Sequence, residues 1–380
     1  MGPLAGIKVV ELAGIGPGPM CAMLLADLGA TVLRIDRKHP SGLGYKRPLK
    51  YDLTLRGRKS IALDLKDPDA VALVLRLISD ADALIEGFRP GVTERLGLGP
   101  DACFERNPKL VYGRMTGWGQ TGPLAMAAGH DINYIAITGI LNAIGRQGQA
   151  PSVPINIIGD MAGGSMYLAL GMLAAVIEAR NSGKGQVVDA AIVDGAASLA
   201  TSLFGMRGAG MLSTERGTNV LDSGAYFYDV YECADGGYIS VGAVEEKFYI
   251  ELMQRMGLNP TEIGPHMNRD NWSKGRALLT ERFKTKTRDQ WCELLEGFDA
   301  CVAPVLSWDE AFKHPHLKAR NTLVEIDGVV QPAPAPRFSR TIPDLPSPPA
   351  AVTPDNTDAA LAGWLDAREI GSLRAVGTIS

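Results

Sequence analysis

The run Ile7-Lys8-Val9-Val10-Glu11-Leu12, its continuation Ala13-Gly14-Ile15-Gly16-Pro17-Gly18-Pro19, and Thr31-Val32-Leu33-Arg34-Ile35 beyond it decide the fold. The first six residues, mostly aliphatic, read as a short buried strand. Pro19 suits a first helical position, so a helix is expected over Met20–Leu28, and Gly29 stops it. Residues 31–35 form the next strand, ending in Asp36 and Arg37. The theme recurs at Ser60–Leu65, Ala83–Glu86 and Leu110–Arg114, with helical stretches such as Asp67–Ser79 between them. Gln186–Ile192 is a further strand, after a long helix from Met161 to about Ala179. Strands alternating with helices build a parallel sheet covered on both faces. The fold class is therefore α/β, with a doubly wound, Rossmann-like large domain over residues 1–200.

Residues 201–225 turn glycine-rich and read as an extended linker. Tyr226–Tyr231 and Gly237–Gly242 then pair as an antiparallel hairpin turning at Asp235-Gly236. Three helical stretches follow, and Cys301–Leu306 and Thr322–Ile326 return to sheet. Residues 226–320 thus form a smaller α+β domain. The segment 321–380 carries a proline-rich stretch (331–349) that cannot be helical, and a last helix from about Asp355 to Asp366. It is expected to complete the large domain.

The 380 residues are 46% hydrophobic and 21% charged, the profile of an ordinary globular protein with room for two cores. A formal net charge of −4 argues against nucleic acid or an anionic membrane as partner. The five cysteines are scattered, with no CxxC pair, which disfavours zinc and redox motifs and favours a reducing compartment. No secretory signal pattern and no uninterrupted apolar run of membrane-spanning length is read, so a cytoplasmic location is expected.

The strand, the Gly14-Ile15-Gly16-Pro17-Gly18-Pro19 turn and Asp36 nearly spell a dinucleotide-binding fingerprint. That motif needs its third glycine where Pro19 stands, and two prolines remove amide donors that would face a pyrophosphate. His130, one of five histidines, sits at a loop-to-helix junction, a placement that suits either helix capping or proton transfer. Asp160 follows the strand-like Ile155–Gly159 and precedes an expected helix, where it reads as an N-cap or as an acid–base group.

Seven motifs in order, VVELAGIGPGP (9–19), GATVLRIDR (29–37), IEGFRPGVTERLGLGP (85–100), MTGWGQTGP (115–123), GHDINY (129–134), SGKGQVVDAAIVDG (182–195) and PAPRFSRT (334–341), resemble the family III coenzyme A transferase superfamily, and within it the α-methylacyl-CoA racemases. The likeness covers residues 4 to 340, and the GHDINY run with its histidine is what points to the racemases. The resemblance implies an interlocked homodimer with its active site at the subunit interface. It implies a cofactor-independent interconversion of (2R)- and (2S)-2-methylacyl-CoA, in which coenzyme A enters as part of the substrate and no metal is used. It implies His130 and Asp160 as the acid–base pair that flanks the α-carbon, since racemisation removes a proton from one face and returns one to the other. Glu245, brought across the dimer interface from the other subunit, is implied as the carboxylate that orients the histidine, with Glu246 its neighbour and rival. For the coenzyme A portion the resemblance implies Arg37, Arg89 and Arg95 at the phosphates, with Arg56 in a basic cluster beside Arg58 and Lys59. Leu63, Asp64, Leu65 and Lys66 are implied on the adenine side, Gly87 and Phe88 along the pantetheine arm, and Gly129, Asp131, Ile132, Asn133 and Tyr134 near the thioester. An alternative within the superfamily is a CoA-transferase in which Asp160 attacks the thioester.

Overall fold

A computed structural model describes residues 1–39, 42 and 44–379 and divides the chain into two compact units. The first comprises residues 1–138, 155–199 and the segment from 321 onward, whose last residue, Ser380, lies outside the described residues. The second comprises 139–154 and 200–320.

The first unit is built on six parallel strands: β1 (Lys8–Leu12), β2 (Thr31–Arg37), β3 (Lys59–Leu63), β4 (Ala83–Glu86), β5 (Val111–Thr116) and β6 (Gln186–Ala191). Their order is β3-β2-β1-β4-β5-β6, the doubly wound arrangement. The register pairs Val9 with Val32 and Ala83, so β1 lies at the centre. Side chains alternate between two cores, as a two-residue period requires. Val10, Leu12, Leu33, Ile35, Leu84 and Tyr112 face one core. Val9, Val32, Ala83, Ile85 and Val111 face the other. Helix Pro68–Ile78 and two short helices, Pro354–Leu361 and Ala367–Ala375, where a single last helix is expected, contribute to the first core, and helices Pro17–Asp27 and Tyr167–Ser182 to the second. The first of these helices starts two residues before the expected Pro19, with Pro17 in its first turn.

Where a strand is expected at Ile155–Gly159, the chain instead enters a π-helix, Ile157–Met166, which runs on as the α-helix Tyr167–Ser182. Glycine is the reason. A Cβ at Gly163 would stand 2.7 Å from the backbone nitrogen of Ala196, and one at Gly159 would stand 2.5 Å from Asp131 Oδ1. Backbone that comes this close to its neighbours packs through main chain rather than through a β-ladder. The combined helix Ile157–Ser182 is long and apolar enough, by length and composition, to cross a membrane. Leu168, Ala169, Met172, Ala175 and Ala179 build one face of it into the core, while Met166, Leu170 and Ile177 are exposed.

In the second unit, β7 (Tyr228–Glu232) and β8 (Tyr238–Gly242) pair antiparallel, and β9 (Val302–Val305) adds to β8. Helices Glu246–Arg255, Trp272–Phe283 and Arg288–Leu295 pack around a core that includes Tyr226, Phe227, Leu252, Phe283 and Trp291. The supposed extended linker is helical at Thr201–Gly208. Leu203 and Met206 favour the helix, and the chain breaks only afterwards, at Gly210 (φ 71°) and Gly217 (φ 70°). A two-stranded hairpin of the first unit, β10 (Leu323–Ile326) and β11 (Val329–Pro332), turns at Asp327-Gly328 with φ of 50° and 70°. The proline-rich segment beyond it is free of helix, and Ser347 O accepts the Gly57 N–H at 2.9 Å.

Candidate active site

In a doubly wound sheet the chain reverses direction of winding beside its first strand, and the connecting loops part there to leave a crevice outside the carboxyl ends of the strands. Here the reversal lies between β1 and β4. The loops that leave this edge hold residues 13–16 after β1, Arg37 at the end of β2, Asp64–Lys66 after β3 and Gly87–Arg89 after β4. The topology thereby brings to one edge residues that lie up to 76 positions apart in the chain, from 13 to 89. Arg37, Arg89 and Arg95 are exposed, and the Arg37 guanidinium lies 5.5 Å from the centroid of the Phe88 ring. Asp64 Oδ1 accepts the Lys66 N–H at 3.1 Å, which shapes the loop and leaves the Lys66 ammonium exposed.

Two expected ligands are corrected. Arg56 is 3% exposed: its Nε and Nη2 donate to the carboxylate of Asp27 at 3.2 and 2.6 Å, and its Nη1 donates to Gln331 Oε1 and to Pro332 O. A buried fork with four of its five N–H donors spent inside the core is not placed to grip a phosphate. Its neighbours are similarly engaged, Arg58 with Glu11 Oε2 at 2.6 Å and Lys59 with Ala359 O at 2.9 Å. Leu63 is buried in the hydrophobic core, so its side chain serves the sheet rather than a ligand.

The GHDINY run is built around a tyrosine. Tyr134 is buried, its ring meets Trp118 edge-on at 4.7 Å, and its hydroxyl donates to Gly129 O. Burial, with the Asp160 charge adding, pushes its phenol up to about 12. Asn133 Oδ1 accepts the His130 N–H at 3.0 Å and so fixes the start of helix Asp131–Ile137, with His130 as the residue before it and exposed. Ile132 and Asn133 are exposed on the same turn.

Asp160 does not precede a helix, as expected from sequence, but lies in the first turn of the π-helix. Its backbone N–H donates to Asp131 Oδ1 at 2.6 Å, which ties the π-helix to the residue directly after His130. Asn156 Nδ2 lies 3.3 Å from Asp160 Oδ2, and the Ser165 hydroxyl is shared between Asp160 O and Pro17 O. A Cβ on Gly16 would be 3.7 Å from Asp160 Oδ2, so the β1 turn faces this carboxylate. Burial pushes the Asp160 carboxyl above its ordinary range; the Asn156 hydrogen bond opposes it, Asp131 raises it further, and His130 lowers it. The histidine and the carboxylate therefore lie within electrostatic reach of each other, brought together by Asp131.

Glu86, at the end of β4, is a group that sequence reasoning passed over although it stands inside the IEGFRPG motif. It is 2% exposed; its Oε2 accepts the Phe88 N–H at 2.7 Å, and its Oε1 lies 3.5 Å from Arg114 Nε. It holds the turn that carries Gly87, Phe88 and Arg89. Burial lifts its carboxyl from 4.5 to about 7, with the Phe88 amide and Arg114 opposing the rise.

Glu245 lies in the second unit, exposed, as the residue before helix Glu246–Arg255, with its side chain making no cap hydrogen bond. Its charge acts on Cys301, whose thiol is raised first by burial and then by this carboxylate. Among the described residues no group of three or more histidine, cysteine, aspartate or glutamate side chains could hold a metal ion.

The sequence profile described as CoA-transferase family III matches residues 4–358. Human alpha-methylacyl-CoA racemase is 43% identical over 347 residues, spanning 90% of this chain and 88% of that protein, and the Mus musculus protein of the same name is 42% identical over 346. Succinyl-CoA–D-citramalate CoA-transferase of Chloroflexus aurantiacus is 32% identical over 340 residues, or 85% of this chain and 83% of that one. The crystal structure of a CAIB/BAIF family protein from Brucella suis superposes with a TM-score of 0.81 at 27% identity, covering 96% of this chain and all of that one. With a profile match across most of its length and relatives well above 30% identity, this chain belongs to CoA-transferase family III.

Proposed function

We infer that this chain is a racemase of 2-methylacyl-CoA thioesters, with His130 and Asp160 as the two acid–base groups and Glu245 as the carboxylate that orients the imidazole. The observation that carries the reading is the Asp131 link, which sets an exposed imidazole and a carboxylate of raised proton affinity beside the same sheet edge. Racemisation needs one group to take the α-proton while the other supplies one to the opposite face, so both must hold a proton during part of each cycle. A carboxyl pushed upward by burial and a histidine fit that demand better than two ordinary carboxylates would. The enolate oxygen requires donors, and the first turn of helix Asp131–Ile137 offers backbone amides at its positive end. Arg37, Arg89 and Arg95, with Lys66, form the exposed cationic set for the coenzyme A phosphates, which arginine forks grip in pairs. No metal, flavin or pyridoxal group enters this scheme.

The apolar face of Met166, Leu170 and Ile177 supports a homodimer as the working form. The five free cysteines support a reducing compartment such as the cytoplasm.

The test is exchange of the α-proton of a 2-methylacyl-CoA in deuterated water without any acyl acceptor. Exchange from both the R and S thioesters is expected, with loss on the order of 100-fold or more in His130→Ala. Near-normal exchange in that variant would refute the assignment. Capture of an acyl-enzyme by hydroxylamine, with exchange absent, would instead make the chain a transferase with Asp160 as nucleophile.

A further inference from the structure

We infer that Asp131 is a positioning residue for Asp160: its buried carboxylate ties down the backbone of that residue and confronts it with a fixed negative charge. The inference rests on the acid–base role proposed for Asp160. Asp131 is 5% exposed, too enclosed to meet a substrate carbon itself. One of its oxygens accepts the Asp160 N–H at 2.6 Å, while the other, Oδ2, is buried with no hydrogen-bond partner. A neutral side chain could accept one amide without leaving an unsatisfied buried oxygen, which costs free energy. The fold even makes room for this carboxylate, since any side chain at Gly159 would begin 2.5 Å from Asp131 Oδ1. Such a costly arrangement is intelligible if the charge itself has a task.

The groups that act on Asp160 are few. From the Asp131–Ile137 helix and the residue before it come Asp131, which raises its proton affinity, and His130, which lowers it. The Tyr134 phenol of that helix senses the Asp160 charge and donates its hydrogen to Gly129 O. From the π-helix and the residue before it come the Asn156 amide and the Ser165 hydroxyl. Helices Pro17–Asp27 and Ile192–Leu199, packed on other sides, present Pro17 and its carbonyl, Ile192 and Ala196. Asp131 is therefore the one fixed negative charge acting on Asp160 among the described residues. It helps Asp160 retain a proton at a pH where an ordinary aspartate would have released it, which is the state needed when Asp160 must deliver a proton to the enolate.

Asp131→Asn keeps an acceptor oxygen for the Asp160 amide and removes the charge. Rates of α-proton exchange measured against pH should show the acid limb displaced to lower pH for the enantiomer whose proton Asp160 removes, and the alkaline limb displaced to lower pH for the other, which Asp160 must meet in its protonated form. On that acid limb the variant should retain about threefold more of its plateau rate than the parent, with KM within about twofold. Asp131→Ala, which also loses the acceptor, should lower the plateau on the order of tenfold. Coincident acid limbs in the parent and Asp131→Asn would overturn the inference. Carboxyl 13C titration of Asp160, assigned by its disappearance in Asp160→Asn, reads the same displacement without turnover. A parent that shows no exchange thus refutes the acid–base reading of Asp160, while the titration still decides the role of Asp131. If the asparagine variant does not fold, the parent's own titration suffices: Asp160 should titrate above an ordinary aspartate, and titration at or below the ordinary range would overturn the proposal.

Discussion

Glu86→Gln should make the protein more stable at alkaline pH, and the size of the gain follows from the burial of one carboxyl. The folded state lifts Glu86 from 4.5 to about 7, so it binds the proton more tightly than the unfolded chain does. For such a group the stabilising contribution is fully present below pH 4.5, declines as pH rises through the interval to about 7, and is gone above it. At about 1.4 kcal/mol per pH unit, the cost of ionising Glu86 in place is about 1 kcal/mol at pH 5 and about 3 kcal/mol at pH 8. Glutamine preserves the shape and an acceptor for the Phe88 N–H but has nothing to ionise. Arg114 retains its ion pair with Glu94 and its hydrogen bond to Gln120, so it is not stranded by the exchange. Urea unfolding at pH 5 and pH 8, followed by tryptophan fluorescence and circular dichroism together so that the two units are not conflated, should show the variant gaining about 2 kcal/mol on the parent between those pH values. Parallel stability curves for the two proteins would refute the reasoning, because they would mean that Glu86 is already ionised at pH 5 or solvated in the native state.

Arg56→Met and Arg37→Ala should separate structure from binding. The first strands the buried Asp27 carboxylate without its partner and should destabilise the fold by about 3–5 kcal/mol, while leaving coenzyme A affinity unchanged in the folded fraction. The second should leave stability within about 0.5 kcal/mol but weaken coenzyme A binding about tenfold, more so at low salt, as calorimetric titration would register. Loss of affinity in Arg56→Met at full stability would restore Arg56 as a ligand. Gly117→Ala should be destabilised by about 3 kcal/mol or more in thermal unfolding, since a Cβ there overlaps the buried Tyr134 ring. A fully stable alanine variant would show that the Tyr134 anchor can shift.

The sheet was legible because its rule is local. Val9 and Val10, adjacent in the chain, point into separate cores, and that two-residue alternation recurs at β2, β4 and β5. The candidate site was legible only as a resemblance to a family, carried by motifs at the strand ends. What escaped reading depends on partners distant in sequence. Arg56 looks like a phosphate ligand until Asp27 and Gln331, 29 and 275 positions away, are found on its fork. Residues 139–154 lie between motifs of the first unit, yet Arg146 pairs with Asp229 at 2.6 Å and Arg216 donates to Gln149 O, which ties them into the second. No composition shift marks that excursion. The π-helix at Asp160 escaped for a related reason: Gly159, Gly163 and Gly164 resemble turn residues, and only the backbones and side chains they press against reveal a wide helical turn.

The near-fingerprint after β1 shows how a fold's ligand edge is turned to other chemistry. In dinucleotide-binding sheets the glycine turn leads into a helix whose free amides receive a pyrophosphate. Here Gly16 keeps the positive φ of a tight turn, 66°, but Pro17 and Pro19, two of the next three residues, have no N–H to donate. The Pro17 carbonyl accepts the Ser165 hydroxyl, and that same hydroxyl reaches Asp160 O, so the turn braces the π-helix instead of cradling an anion. The nearest side-chain oxygen beyond Gly16 belongs to a carboxylate, Asp160 Oδ2. A diphosphate placed at this turn would meet like charge and missing donors together, each unfavourable by itself. Further along the same edge Arg37, Lys66 and Arg89 stand exposed, free of that repulsion, and the β1 turn is left to hold the Asp160 carboxylate in place.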